Sequence, residues 1–341
     1  MNIFTSLVEL RKRLNRKHLF FAILILLSIF IVFLPYLLPL PESGKSFDEI
    51  QSDYQEKGEY IETDFGKVFI TTTGDANNEA MVLVHSFGGS SNNWVRVIDK
   101  LVEQEFFVIA IDLPGFGVSE RQDGAVYSHE KYAKVIKQVT DALNIEKAVF
   151  VGHSMGVNVL LWVYKIYPEI VDSFVFVDGN NVAMQSSSTL VNNVLVQPYF
   201  QRGLRQILLR SLSKDRIRGI LESAVYKKET VNEELIERYF VGLSHKGWDQ
   251  SLISLALSAN QNVITKDEVN NIKVPTLILW GKEDAWISLQ DGLVFSRLFS
   301  EADFVVIPEA GHLVMEEEPE LLSLAVRSFF MKQGSKIQED Q

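Results

Sequence analysis

The segment Gly152-His153-Ser154-Met155-Gly156 constrains this chain more than any other feature. It follows the apolar, β-branched run Ala148-Val149-Phe150-Val151, and it precedes Val157–Trp162, whose sequence is typical of a helix. A Gly-x-Ser-x-Gly between a strand and a helix predicts a turn so tight that only glycine fits beside the serine, whose hydroxyl then projects into a cleft. The pattern alone is weak, because it also arises by chance, so the rest of the chain must supply what a nucleophilic serine needs.

Composition narrows the classes of protein that remain. The chain has 341 residues and is 47% hydrophobic, enough for one large domain or a domain with an insertion. Its net charge of −11 argues against nucleic acid as a partner. It has no cysteine, which excludes disulfides and thiolate catalysis, and its six histidines form no His-Glu-x-x-His motif. We therefore expect neither a metal nor another cofactor.

The N-terminus predicts a membrane anchor. Residues 19–34 are apolar except for Ser28, and with residues 35–40 the stretch reaches the length that spans a bilayer. Basic side chains precede it, at Arg11, Lys12, Arg13, Arg16 and Lys17, and mostly acidic ones follow. The positive-inside rule then predicts a cytoplasmic basic segment 1–18, a transmembrane anchor 19–40 and a main domain outside the cytoplasm. A cleaved signal peptide and a buried soluble helix are the alternatives.

The charge of the main domain bears on how it meets a membrane. Without its basic N-terminus the domain is more acidic than the whole chain. We therefore expect the anchor, and not the surface of the domain, to bind the membrane.

Short apolar runs alternate with helical patterns beyond a polar linker at residues 41–58. The predicted strands are Tyr60–Thr63, Val68–Thr72, Met81–His85, Phe106–Ile111, Ala148–Val151, Phe174–Val177, Thr276–Trp280 and Phe304–Ile307. This alternation predicts a mostly parallel eight-stranded sheet with helices on both faces, and an antiparallel hairpin at its first edge.

The alternation breaks between residues 180 and 271, where only helical patterns occur. The sequence therefore predicts a core made of residues 59–179 and 272–333, an inserted helical cap at 180–271 and a polar tail at 334–341. Apolar cap residues could line a pocket or pack onto the sheet, and these are Leu190, Val191, Val194, Leu195, Val196, Tyr199 and Phe200.

Acyl transfer by serine needs a base, an orienting carboxylate and two donors for the oxyanion. His312 follows the last strand and Asp284 the seventh, with Glu283 as the rival acid. The Gly-rich loop after the third strand offers the N–H of Phe87, to be paired with the N–H of Met155. Taken singly, these residues would be a surface histidine, a solvated or helix-capping carboxylate and an ordinary turn.

A fifth motif, Asp112-Leu113-Pro114-Gly115-Phe116-Gly117, lacks the third glycine of a dinucleotide fingerprint, because Glu120 stands there. We expect Asp112 to fix the geometry of its loop.

The ordered set His-x-Phe-Gly-Gly, Asp-Leu-Pro-Gly-Phe-Gly-x-Ser, Gly-His-Ser-Met-Gly, Trp-Gly-x-x-Asp and Gly-His resembles the α/β-hydrolase superfamily over residues 60–332. The resemblance implies that Ser154 is the nucleophile, that His312 is the general base and acid, and that Asp284 orients it. It also implies an oxyanion hole from Phe87 and Met155, and a helical cap. Ser86 and Ser288 depart from the usual glycine and proline of the family's loops.

The resulting hypothesis is a membrane-anchored serine hydrolase of carboxylic esters, with lipid-like esters among the candidate substrates, whose catalytic domain is extracytoplasmic. A carbon–carbon bond hydrolase and an acyltransferase use the same triad, and a non-catalytic binding protein could share the fold. The sequence leaves the substrate and the oligomeric state open.

Overall fold

The computed structural model describes residues 38–41, 44–122, 124–180, 198–258 and 264–339, without the side chains of 198–200 and 335–339. Its centre is one eight-stranded sheet. The strands are β1 (Glu59–Thr63), β2 (Gly66–Thr73), β3 (Glu79–Val84), β4 (Phe106–Ile111), β5 (Ala148–His153), β6 (Val171–Val177), β7 (Thr276–Gly281) and β8 (Ala302–Ile307).

The strand order is β1-β2-β4-β3-β5-β6-β7-β8. Strands β1 and β2 form an antiparallel hairpin, β2 is also antiparallel to β4, and every other pair is parallel. The predicted mostly parallel sheet of eight strands is thus confirmed. The parallel strands end at one edge, and the loops that carry the serine, acid and histidine motifs all follow those ends.

Helices cover both faces of the sheet, as the near-continuous apolar character of its central strands requires. Those of the core are α1 (Phe47–Tyr54), α2 (Val95–Val102), α3 (His129–Ala142), α4 (Met155–Ile166), α10 (Leu289–Ser296), α11 (Val314–Glu317) and α12 (Pro319–Glu339). Two large clusters of buried side chains lie on opposite faces, one against α3 and α4 and the other against α2 and α12.

The cap is helical where the structure describes it. It comprises α5 (Pro198–Ser211), α6 (Lys214–Ala224), α7 (Glu233–Leu243), α8 (Trp248–Ser258) and α9 (Lys266–Asn270). The proposed pocket residues at 190–196 lie outside the described residues, and so do the side chains of Tyr199 and Phe200.

The predicted polar linker at 41–58 contains structure. Helix α1 begins after Ser46, whose side chain and backbone share a capping box with Glu49, and it buries Ile50. Similarly, the predicted tail at 334–341 starts inside α12, which continues to Glu339. Both differences arise because local capping and helix continuation outweigh a polar composition.

Most of the predicted anchor, residues 19–37, lies outside the described residues. Within the described ranges no helix is long and apolar enough to span a bilayer.

Candidate active site

Ser154 occupies a strained elbow between β5 and α4. Its backbone has φ 52° and ψ −114°, and such a conformation costs a non-glycine residue about 1–3 kcal/mol. The N–H of Ser154 donates to Val177 O at 2.9 Å, which fixes the turn on β6. A Cβ on Gly156 would lie 2.4 Å from Val84 O, and one on Gly179 would lie 2.5 Å from Ser154 O. Close backbone approach therefore requires glycine at both positions.

The structure brings Ser154, His312 and Asp284 together in one chain of hydrogen bonds. His312 Nε2 lies 3.0 Å from Ser154 Oγ, and His312 Nδ1 lies 2.7 Å from Asp284 Oδ2. A carboxylate only accepts, so the Nδ1–H donates to Asp284 and leaves Nε2 to accept the serine proton. The side chains of His312 and Asp284 are 2% and 0% exposed, which strengthens the ion pair that forms on proton transfer.

The loop after β7 holds the carboxylate of Asp284 in place. Its other oxygen, Oδ1, accepts from the N–H of Trp286 at 2.7 Å and of Ile287 at 3.0 Å. The rival Glu283 instead accepts from Ala310 N at 3.3 Å. Of the two neighbouring acids, the structure therefore places Asp284 at the imidazole.

The predicted oxyanion donors border the same cavity as Ser154. In the part of the chain that the structure describes, the N–H groups of Phe87 and Met155 donate to no other protein group. The loop before Phe87 is held by His85, which donates from Nδ1 to Ser86 O at 2.7 Å and accepts from Leu113 N at Nε2 at 3.1 Å. Burial lowers the pKa of His85 and keeps it neutral, as this pairing requires.

Asp112 organises the neighbouring loop, as the sequence predicts. Its Oδ1 accepts from Ser91 N at 2.6 Å and its Oδ2 from Val118 N at 2.7 Å. A Cβ on Gly117 would lie 2.0 Å from the carboxylate, which explains the glycine there. Asp112 therefore fixes the conformation of its loop.

The cap is bonded directly to the loop that carries His312, a feature that the sequence did not reveal. His312 N donates to Ala224 O at 2.7 Å, at the end of α6. Glu317 accepts from Tyr226 N and Lys227 N, each at 2.7 Å, and from Gly311 N at 2.7 Å. One carboxylate thus joins the cap segment after α6 to the histidine loop.

Two further titratable groups lie behind the site. Burial, and then the negative charge of Asp284, raise the pKa of Asp178 well above its usual value. Burial, and then the charge of His312, lower the pKa of His153 well below its usual value. His153 is therefore neutral, and its Nε2–H donates to His312 O at 2.8 Å.

A cavity of about 400 Å³ opens beside Ser154. Its cap side is apolar and consists of Ile217, Ile220, Leu221, Ala224, Tyr239, Leu243, Leu252, Leu255 and Ala256. Its core side includes Trp286, which is 50% exposed and whose ring centroid lies 5.2 Å from that of His312. Burial lowers the pKa of His129, another lining residue, to about 4. Among its described residues the cavity therefore presents no charged side chain to a substrate at neutral pH, unless His312 is protonated.

Among the described residues, no group of three or more His, Cys, Asp or Glu side chains has the arrangement of a metal site.

Residues 79–319 match the family model described as the alpha/beta hydrolase fold. The chain belongs to this family, as its ordered motifs predict. A curated relative, the uncharacterized hydrolase YugF of Bacillus subtilis, is 27% identical over 74% of this chain and 89% of its own length. A 2-hydroxy-6-oxononadienedioate/2-hydroxy-6-oxononatrienedioate hydrolase of a Pseudomonas species is 27% identical over 78% of this chain and 93% of its own length.

The solved structure of a thermophilic esterase from Thermogutta terrifontis is similar to this one, with a TM-score of 0.67 and 24% identity. The match covers 81% of this chain and 98% of the esterase. At that identity the similarity concerns the fold.

Proposed function

We propose that the protein is a serine hydrolase that cleaves carboxylic esters with an apolar acyl group. The observation that carries the proposal is the Ser154–His312–Asp284 chain of hydrogen bonds, with spacings of 3.0 and 2.7 Å, at the wall of an apolar cavity. This arrangement matches the needs of acyl transfer, because serine is a weak nucleophile until an adjacent base accepts its proton.

The proposed reaction proceeds in two halves. Ser154 Oγ attacks the ester carbonyl while its proton passes to His312 Nε2, and Asp284 stabilises the resulting imidazolium. The N–H groups of Phe87 and Met155 stabilise the oxyanion. The tetrahedral intermediate expels the alcohol, which takes the proton from Nε2. Water then gives its proton to Nε2 and attacks the acyl carbonyl. The second tetrahedral intermediate expels Ser154 Oγ, which takes that proton back from Nε2 as the carboxylic acid is released.

The lining of the cavity supports an apolar acyl chain over a charged one. A volume of about 400 Å³ suits a small molecule. In the described part of the chain, neither lysine nor arginine lines it. A substrate with carboxylates at both ends would lose its hydration there without an ionic partner, which is costly.

We further propose that residues 19–40 anchor the protein in the cell membrane, with residues 1–18 in the cytoplasm and the catalytic domain outside. The apolar length and the flanking basic residues support this orientation. Such an anchor would bring the site close to lipid-like esters.

The second candidate is carbon–carbon bond hydrolysis, which the Pseudomonas relative at 27% identity favours. That relative is named for a dioate substrate, which carries two carboxylates. The uncharged lining described above is the observation that places this candidate second.

A fluorophosphonate probe tests the nucleophile. The wild-type protein should be labelled, and Ser154→Ala should not be. An unlabelled wild-type protein, shown to be folded by circular dichroism, would sink the serine-hydrolase proposal.

Turnover of p-nitrophenyl esters of increasing acyl length, compared with that of a vinylogous 1,5-diketone, separates the two candidates. We expect kcat/KM to rise with acyl length until the chain fills the cavity. Turnover of the diketone alone would assign the protein to the carbon–carbon hydrolases.

A further inference from the structure

The chain that follows the predicted anchor is held by the first described helix of the cap. Leu38 O accepts from Arg202 Nη2 at 3.2 Å and from Gln206 Nε2 at 3.0 Å. Pro39 O accepts from Gln206 Nε2 at 3.2 Å and from Arg210 Nη2 at 3.4 Å. The three side chains are spaced four residues apart and so share one face of α5. Helix α5 therefore lies directly at the C-terminal end of the proposed anchor.

A second attachment holds the same segment a few residues later. Lys45 N donates to Ser244 O at 3.1 Å, and Lys246 N donates to Lys45 O at 2.9 Å. A Cβ on Gly44 would lie 1.8 Å from Ser244 O, so the contact requires glycine. The segment that follows the proposed anchor is thus hydrogen-bonded to the cap at residues 38–39 and again at residue 45.

The exposed side chains of α5 and α6, including Ile207, Arg210, Arg216 and Ile220, form what we call the outer cap surface. Ile207 is 65% exposed and Ile220 is 45% exposed. Ile207 lies about 60° around the helix from Arg210, so one side of α5 can hold the segment while the adjacent side meets another surface.

The charge of the outer cap surface is opposite to that of the protein as a whole. Helices α5 and α6 carry six basic and two acidic residues, in a chain with a net charge of −11. Lys214 and Arg218 are paired with Glu237 and Glu233 of α7. Arg210 and Arg216 are exposed, and Asp215 is the exposed acidic residue beside Arg216, so this surface offers two positive charges against one negative charge to an anionic surface.

The outer cap surface also borders the mouth of the cavity. Ile220 lines the cavity while remaining 45% exposed, and Trp286 does the same at 50%. An apolar substrate can therefore pass from this surface to Ser154.

We propose that the outer cap surface rests on a phospholipid bilayer that contains anionic lipids, so that the active-site cavity opens at the membrane interface. The inference goes beyond the proposed ester hydrolysis, and it rests on the proposed anchor. It revises the expectation that the acidic domain itself avoids anionic lipid, because charge is distributed unevenly over the domain. Apolar burial and attraction to anionic headgroups both favour such an interface.

The absence of cysteine allows a direct test, since a single introduced thiol can be labelled without competition. Ile207→Cys probes the outer cap surface. Met331→Cys is the matched control, at 67% exposure against 65%. Lys332, the neighbour of Met331, pairs with Asp303 at the start of β8. The starts of the parallel strands lie on the side of the sheet opposite the catalytic loops. The full-length variants, labelled with an environment-sensitive NBD group, would be reconstituted into vesicles of phosphatidylcholine and phosphatidylglycerol.

The NBD emission at position 207 should shift to the blue and be quenched by nitroxide-bearing lipid, whereas position 331 should do neither. If the protein floats with the vesicles after an alkaline wash but position 207 behaves like 331, the anchor stands and this inference fails. If the protein does not float, both fail, while fluorophosphonate labelling of Ser154 still decides the hydrolase proposal. A blue shift that depends on protein concentration, without quenching, would assign the surface to a second copy of the chain and overturn the inference.

The charge contribution is tested by Arg216→Glu in the labelled Ile207→Cys protein. We expect less quenching in vesicles with phosphatidylglycerol and no change in pure phosphatidylcholine. Arg327→Glu, on the exposed side of α12, is the control. If Arg216→Glu and Arg327→Glu reduce the quenching equally, the proposed attraction of the outer cap surface to anionic lipid is wrong.

Discussion

Two helices of the cap, α5 and α7, differ in what they bind. Helix α7 is bound to the core: both terminal nitrogens of Arg238 donate to Glu316, at 2.7 and 2.8 Å, and the Glu316 side chain is 0% exposed. Helix α5 is bound by Arg202, Gln206 and Arg210 to carbonyls of the segment that precedes the domain. Between them α6 contributes Ala224 O to the histidine loop and Ile220 to the mouth of the cavity.

The comparison shows that two helices of one inserted subdomain are attached to different parts of the chain. Helix α7 is attached close to the histidine loop through a buried ion pair, and substitutions there should change stability or turnover. The α5 side attaches to the N-terminal segment through partly exposed contacts, and substitutions there should leave chemistry in solution unchanged.

The largest effect is expected at the catalytic edge itself. Asp284→Asn should lower kcat by roughly 10⁴-fold, because the amide no longer holds the productive tautomer of His312. Glu283→Gln is the matched control, and it should cost less than about tenfold. Among the described residues, the Glu283 side chain accepts a hydrogen bond only from Ala310 N, at 3.3 Å, and it lies near Lys282. Steady-state kinetics on the best p-nitrophenyl ester would check this. The reverse ranking would make Glu283 the orienting acid.

The α7 attachment should be broken by Arg238→Leu. Removing one partner of a buried ion pair typically costs about 3–5 kcal/mol, because the other charge remains buried. Arg210→Leu on α5 should cost less than about 0.5 kcal/mol, as expected for an exposed side chain. The free energy of unfolding in urea measures both. The comparison between the two helices fails if these substitutions destabilise the protein equally.

The link between cap and histidine loop should be weakened by Glu317→Gln. One amide oxygen cannot replace two carboxylate oxygens that accept from Tyr226, Lys227 and Gly311. We expect kcat to fall about 10- to 100-fold with a smaller change in KM, because the base is misplaced while the cavity is retained. An unchanged kcat with a raised KM would show that Glu317 shapes only the cavity.

The smallest effect concerns the pH dependence of stability at Asp178, which lies behind the active site. Its pKa in the folded state is raised by burial, so its contribution to stability is complete below the unfolded pKa and is lost as pH rises through the folded pKa. Asp178→Asn removes the ionisable group, and with it the loss of folding stability at higher pH. The Tm of the variant minus that of the wild type should therefore become more positive, by a few degrees, as pH rises above about 4, the unfolded pKa of an aspartate. A difference that does not depend on pH would refute the raised pKa.

The sequence predicted the sheet and the proximity of the site residues for one shared reason. Strand runs such as Phe106–Ile111 are local, and turn glycines such as Gly156 leave a local signature. Because parallel strands end at one edge, placing Ser154, Asp284 and His312 after such strands was enough to bring them together.

The attachments of the cap were not predictable in this way. Arg238 and Glu316 are 78 residues apart, and the cap carbonyl that meets His312 N belongs to Ala224. Such pairings depend on how the inserted helices dock, which helical periodicity does not specify. The same limit explains why the described cap lining comes from α6, α7 and α8, whereas the sequence directed attention to residues 190–200.

The position of Trp286 also makes the site observable by fluorescence. The chain has five tryptophans, and the other four are at most 7% exposed. Trp286 lies against His312, with ring centroids 5.2 Å apart and the rings tilted by 35°, and it also lines the cavity beside Ser154. A molecule that enters the cavity therefore changes the surroundings of this one tryptophan, while the other four stay buried. The intrinsic emission of an unlabelled sample should thus report whether its own active site is occupied.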